Sequence, residues 1–181
     1  MLEFAHQEHV KSYYLDSRNQ TFELPPLTQQ EEADVCVIGA GFFGLSSALE
    51  LAEKGKKVIV LEGARVGFGA SGRSGGQAIN GFEEGIDEYI AQVGFDKAKQ
   101  LWDMSLEAID IIDERIAKYG IQCDWKKGYA TLALNERRMD DLIEMEKASH
   151  ATFGYDKMRS SIISMASSDI SQSFFALSKP I

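Results

Sequence analysis

Residues 34–62, DVCVIGAGFFGLSSALELAEKGKKVIVLE, constrain the fold of this chain more than any other stretch. Asp34 to Ile38 is an apolar, β-branched run of strand character. Gly39-Ala40-Gly41-Phe42-Phe43-Gly44 is a G-x-G-x-x-G turn that opens a helix. Leu45, Ala48, Leu49 and Ala52 then recur at helical spacing and predict the face that packs inward, and Gly55 predicts the helix end. Val58 to Leu61 is a second strand, ending at Glu62. Strand, helix and strand in this order predict a βαβ unit, and hence an α/β fold with a parallel sheet.

The glycines have distinct chemical purposes. Gly39 permits the tight turn from strand to helix, Gly41 lets a pyrophosphate approach the backbone, and Gly44 lets helix and sheet pack closely. The free N–H groups of the helix's first turn, with the positive end of its dipole, favour a diphosphate there. Ala40, Phe42 and Phe43 share that turn. Glu62 stands 18 positions beyond Gly44, close to the roughly 20 expected of the acid that grips a ribose. Its charge disfavours a 2′-phosphate, which leaves FAD or NAD and argues against NADP.

The next residues favour FAD. Arg65 to Gln77, RVGFGASGRSGGQ, holds five glycines and two serines in thirteen positions. A nicotinamide cofactor needs no second small-residue loop here. An extended FAD does, because backbone must approach it closely again beyond the first helix. Gly63, Arg65, Gly69, Ala70, Ser71, Gly72, Arg73, Ser74, Gly75, Gly76 and Gln77 are therefore candidate cofactor contacts. Arg65 is expected near the adenosine end, and Arg73 offsets phosphate charge.

This pairing of motifs resembles the D-amino-acid oxidase superfamily of flavoproteins, and within it the gamma-glutamylputrescine oxidase group. His9-Val10-Lys11-Ser12-Tyr13-Tyr14 is similar to that group's N-terminal element. Gly85-Ile86-Asp87, Glu114 to Gly120 and Cys123-Asp124-Trp125 follow its downstream spacing, and the similarity ends near Tyr155. The resemblance implies an FAD-dependent oxidase acting on an amine, with oxygen as acceptor and a small-molecule amine as substrate. Covalent flavin attachment in some relatives uses a cysteine late in the chain; no equivalent is present, so non-covalent FAD is expected. Catalytic residues in the family come mainly from later segments, and none is assigned.

Length bears on the same question. At 181 residues the chain is less than half as long as members of the family it resembles, whose FAD domain is completed by returning C-terminal segments. The reading is therefore a Rossmann-like FAD-binding βαβ unit plus the start of a substrate domain, expected to be incomplete and to lack a C-terminal half. Residues 1–33 form an N-terminal extension and 34–95 the cofactor unit with its glycine-rich loop. Residues 96–156 open the substrate domain, and 157–181 form a divergent tail. That tail holds 8 serines in 25 residues, as many as the 156 residues before it, and shows neither helical nor alternating periodicity. It is expected to be a non-native reading frame or a low-complexity extension. An inactive remnant that at most binds the ADP part of FAD is the alternative reading, and an NAD-linked dehydrogenase is a third.

The remaining signals exclude more than they assign. Net charge is −9, and no Lys/Arg run marks a nucleic-acid surface. No apolar stretch approaches the ~20 residues that span a membrane. The N-terminus lacks the basic start and apolar centre of a secretion signal, so a cytoplasmic protein is expected. Cys36 is expected as a small buried hydrophobe. Cys123, His6, His9 and His150 have no partners at ligand spacing, so no metal is expected. Downstream, a helix is predicted from Phe95 or Asp96 to about Tyr119, with Leu101, Met104, Ala108, Ile111 and Ile112 as its core stripe and Gly120 as its stop. Tyr129 to Leu134 predicts a strand, and Asn135 caps a helix over Arg137 to Ala148.

Overall fold

The computed structural model describes residues 8–20, 23–164 and 173–179; parts of the N-terminal extension and of the serine-rich tail lie outside this range. The chain divides into two units, Met1–Gln77 and Ala78–Ile181.

In the first unit, β1 (Val35–Ile38) and β2 (Val58–Leu61) pair in parallel, from Val35 opposite Val58 to Ile38 opposite Leu61. The Asp34 carboxylate closes the start of the ladder by accepting the Lys57 N–H at 2.8 Å. Between the strands runs helix α2 (Phe42–Glu53), which stops where Gly55 adopts a φ of +77°. A short helix, α1 (Tyr13–Asp16), precedes the sheet and is capped by the Ser12 side chain.

The inward face of α2 differs from the expected one. Gly44 and Ala48 are buried, whereas Leu45 is 43% exposed and Ala52 is exposed too. The cause is Gly44 itself. A Cβ at this position would lie 2.0 Å from the Gly39 carbonyl oxygen and 3.4 Å from Val37 Cγ1. The missing side chain draws that edge of the helix against β1 and rolls Leu45 outward.

Cys36 is likewise exposed, not buried. Successive strand residues point to opposite faces, and α2 covers only the Val35 and Val37 face. Cys36 and Ile38 point the other way, and Ile38 is 87% exposed.

In the second unit, α3 (Ile86–Val93) turns at Gly94 into α4 (Phe95–Tyr119), which ends at left-handed Gly120. The core line of α4 is Ala98, Trp102 and Ile109. It is not the predicted stripe: Met104 is 61% and Ile112 40% exposed, Ala108 is exposed, and Leu101 and Ile111 are half-buried. Trp102 decides the rotation. Its ring meets Phe153 at 5.3 Å and Tyr155 at 5.6 Å between centroids. One buried indole removes more apolar surface from water than any aliphatic residue of the expected stripe.

Strand β3 (Tyr129–Ala133) and helix α5 (Glu136–Phe153) follow. The Asn135 side chain caps α5 by accepting the Arg138 N–H at 2.9 Å, and the helix continues five residues past Ala148 to Phe153 before left-handed Gly154 ends it. Ala133, Leu142 and Met158 form a small core here. Two strands from the tail, β4 (Arg159–Ser164) and β5 (Ser173–Lys179), join β3 in an antiparallel sheet of order β3-β5-β4. Residues 165–172 and 180–181 of the tail lie outside the described range. Pairing here is a property of partner backbones, which the absence of side-chain periodicity does not forbid.

The segment between α4 and β3 is pinned by one carboxylate. Asp113 on α4 accepts the Trp125 indole N–H at 2.8 Å and the Lys127 ammonium at 2.7 Å. Lys127, then Trp125, holds the Asp113 carboxyl below its ordinary range. A depressed folded-state value contributes stability above the unfolded pKa, lost as pH falls through the folded one. Asp113→Asn should therefore narrow the gap in thermal stability between neutral and acidic solution, with the difference appearing below about pH 4. Melting curves of both proteins across that range check this, and superimposable pH profiles would contradict it.

Candidate cofactor site

The site is built where β1 gives way to α2. Gly39 turns the chain at a φ of +97° while its N–H still donates to the Leu61 carbonyl at 2.7 Å. Ala40 follows, almost completely buried, and its N–H donates to Glu62 Oε2 at 2.7 Å. The other carboxylate oxygen, Oε1, accepts the Ala64 N–H at 3.0 Å. Glu62 thus ties the first glycine turn to its own loop, and lies open to solvent. Each oxygen retains lone-pair capacity for a hydroxyl donor.

The second loop folds back onto the first. The Gly67 N–H donates to the Ala40 carbonyl at 3.0 Å, and the Phe42 N–H at the start of α2 donates to Ser71 Oγ at 3.0 Å. Ser71 belongs to a 3₁₀ turn, Ala70–Arg73. Gly72 is needed for the fold-back, since a Cβ there would lie 2.1 Å from the Gly67 carbonyl oxygen. A Cβ on Gly41 would lie 2.8 Å from Ser71 Oγ. Between the loops lies a cavity of about 340 Å³, lined by Gly41, Glu62, Gly63, Gly67, Gly69 and Ser71 among others.

These features fit the adenosine diphosphate end of a dinucleotide. Four of the eight residues of the wall are glycines, the N-terminus of a twelve-residue helix opens on it, and a carboxylate stands at one side to accept ribose hydroxyls. Phe42 and Phe43, at 65% and 87% exposure, are open beside the turn.

Other candidates lie elsewhere. Arg65 and Arg73 do not line this cavity. They line a second one of about 360 Å³ under the N-terminal segment, together with Glu8, His9 and Arg18. Ala70, Gly72, Ser74, Gly75, Gly76 and Gln77 do not reach the first cavity wall either. Conversely, Ala64, Gly67 and Phe68 line it without having been singled out. Gly67 was visible in principle, because it sits in the same glycine-rich run. Among the described residues no His, Cys, Asp and Glu group could hold a metal ion. No helix among them is long and apolar enough to cross a membrane.

Comparison with known proteins supplies the chemical context. The family model described as FAD dependent oxidoreductase matches residues 34–167. It begins at Asp34, where the strand was expected to start, and runs past Tyr155, where the sequence similarity was expected to end. The chain is 85% identical over 159 residues to the probable oxidoreductase OrdL of Haemophilus influenzae, covering 88% of this chain and 37% of that protein. It is 44% identical over 140 residues to the gamma-glutamylputrescine oxidoreductase of Escherichia coli, covering 77% of this chain and 33% of that one. It thus spans about a third of the length of the curated relatives it matches. Among solved structures, L-amino acid deaminase from Proteus vulgaris superimposes with a TM-score of 0.60 at 22% identity, over 89% of this chain and 36% of that one. At that identity the likeness speaks for the fold alone.

Proposed function

The chain belongs to the FAD dependent oxidoreductase family, and on that premise we propose that the turn 39–44, with Glu62, Gly63, Gly67, Gly69 and Ser71, holds the adenosine diphosphate end of non-covalent FAD in an enzyme that oxidises an amine. The observation that carries the reading is the Glu62 carboxylate. It is fastened by two backbone N–H groups beside a glycine-walled cavity, which suits it to receive a ribose.

Bound FAD would supply the two-electron acceptor for the carbon bearing the amine. The chain's own part is orientation. Glu62 accepts the ribose hydroxyls and repels a 2′-phosphate. Gly41, without a Cβ, leaves room for the diphosphate, whose charge is met by the first turn of α2. Ser71, already accepting the Phe42 N–H, keeps its own hydroxyl proton available for a phosphate oxygen. A substrate of the gamma-glutamylputrescine kind is supported by the 44% identity to the Escherichia coli gamma-glutamylputrescine oxidoreductase, and oxygen as final acceptor is what the resemblance to the oxidase group implies. We further assign residues 34–95 to cofactor binding and 96–156 to the opening of a substrate domain.

A second reading, in which the chain binds only the ADP part and catalyses nothing, is favoured by one observation: the cavity offers contacts for that end of the cofactor alone. One experiment separates the two. FAD is titrated by flavin fluorescence, with ADP and 2′-phosphorylated ADP as competitors, and peroxide is then assayed with a panel of amines. Competition by ADP but not by its 2′-phosphate supports the site. Peroxide release supports the oxidase, and binding without peroxide supports the second reading. Binding of neither FAD nor ADP sinks the cofactor assignment.

A further inference from the structure

The second arginine-bearing cavity gives Arg65 a different task from the one expected of it. We propose that Glu8 holds Arg65 from outside the cofactor loop, so that Arg65 is a positioning residue acting through the loop and not a contact of the diphosphate. This rests on the reading of the Glu62 cavity as a nucleotide site.

Arg65 Nη2 donates to the Glu8 carboxylate across 57 residues of sequence. Its Nε–H is enclosed with no partner among the described residues, and the side chain is 33% exposed. The guanidinium therefore faces the N-terminal segment. The grip extends to neighbouring residues: the His9 ring meets Phe68 at 6.0 Å, and the Arg73 guanidinium lies 5.9 Å over the same Phe68 ring. Arg73 also donates to the Phe68 carbonyl at 3.5 Å.

The inner side of that short stretch carries the cofactor contacts. Only Gly63 and Ala64 separate Glu62 from Arg65, and the Ala64 N–H donates to Glu62 Oε1. Two residues after Arg65, the Gly67 N–H is bonded to the Ala40 carbonyl. Residues 62–68 are thus held on the cavity side by Glu62 and Gly67, and toward the N-terminal segment by Arg65 and by the Phe68 ring, which borders both cavities. Releasing Glu8 frees the outer attachment and lets the loop that carries Glu62 drift from the first glycine turn. Glu8 is 78% exposed, and exposed ion pairs are individually weak, so the effect sought is several-fold and not total.

The test uses the full chain with Glu8→Gln, with Arg65→Glu, and with the exchange Glu8→Arg plus Arg65→Glu. Amide hydrogen exchange over residues 63–72 and the ADP dissociation constant are measured for each. Glu8→Gln should speed loop exchange and weaken ADP by about two- to fivefold, and the exchanged pair should recover both to within about twofold of the parent. An unchanged loop in Glu8→Gln, a mild substitution not expected to disturb folding, overturns the latch. Recovery of loop protection without recovery of ADP affinity means that Arg65 touches the nucleotide, which also overturns it. A parent chain that binds no ADP removes the nucleotide reading itself, a failure distinct from either of these.

Discussion

Gly44→Ala should destabilise the first unit and all but remove its affinity for ADP. The new Cβ would stand 2.0 Å from the Gly39 carbonyl oxygen and 3.1 Å from its carbonyl carbon, and both are backbone atoms that no rotamer change can move. Helix α2 must back away, taking with it the N-terminus that faces the cavity. Overpacking of this kind costs about 1–3 kcal/mol, occasionally more, and a backbone obstacle belongs at the upper end. Gly55→Ala is the matched control. Gly55 has a φ of +77° with nothing within 4 Å of its would-be Cβ, so it suffers conformational strain alone, about 1–2 kcal/mol, far from the cavity. Thermal melting and ADP titration of both variants check the contrast. Parent-like melting and binding in Gly44→Ala would mean that helix and turn do not approach as closely as the geometry requires.

Glu62→Ala carries the second large effect, mainly on binding. The substitution removes the acceptor for the Ala40 N–H at 2.7 Å and the Ala64 N–H at 3.0 Å. Ala40 is 2% exposed, so water can replace that partner only by opening the turn. Hydrogen bonds to a charged acceptor contribute about 1.5–3 kcal/mol each. Adding the ribose contacts, ADP affinity should fall by roughly one to two powers of ten. Glu62→Gln separates the two contributions. It keeps one acceptor oxygen and the side-chain shape while removing the charge, so 2′-phosphorylated ADP should gain relative to ADP. Calorimetric titration of the three proteins against both nucleotides measures this. An ADP dissociation constant unchanged in Glu62→Ala would show that this acid does not hold the ribose.

Local chemistry made the βαβ unit legible. Strand, G-x-G-x-x-G turn, helix and Glu62 are joined by short connections, and each announces itself through residue type: β-branched runs, a glycine at positive φ, an acid at the strand end. The stop at left-handed Gly120 and the Asn135 cap were legible for the same reason, because each depends on one or two neighbouring residues, whereas the last helix was expected to end at Ala148 and runs on to Phe153. Faces and partners were not. Periodicity says that a helix has an apolar side but not how it is rotated against its neighbour. In α2 the missing Cβ of Gly44 set that rotation, and in α4 the indole of Trp102 set it against Phe153 and Tyr155, some fifty residues away. The exposure of Cys36 depends on which side of the sheet α2 covers, and the pairing of β5 with β3 on backbone hydrogen bonds between strands more than forty residues apart. Arg65 shows the limit most clearly. Its place in a glycine-rich run points to a phosphate, yet its guanidinium turns to Glu8, 57 residues earlier. The residue types that can meet a nucleotide can be read along the chain, because their chemistry is local. Which of them face the cavity is decided only when distant segments compete for the same side chain.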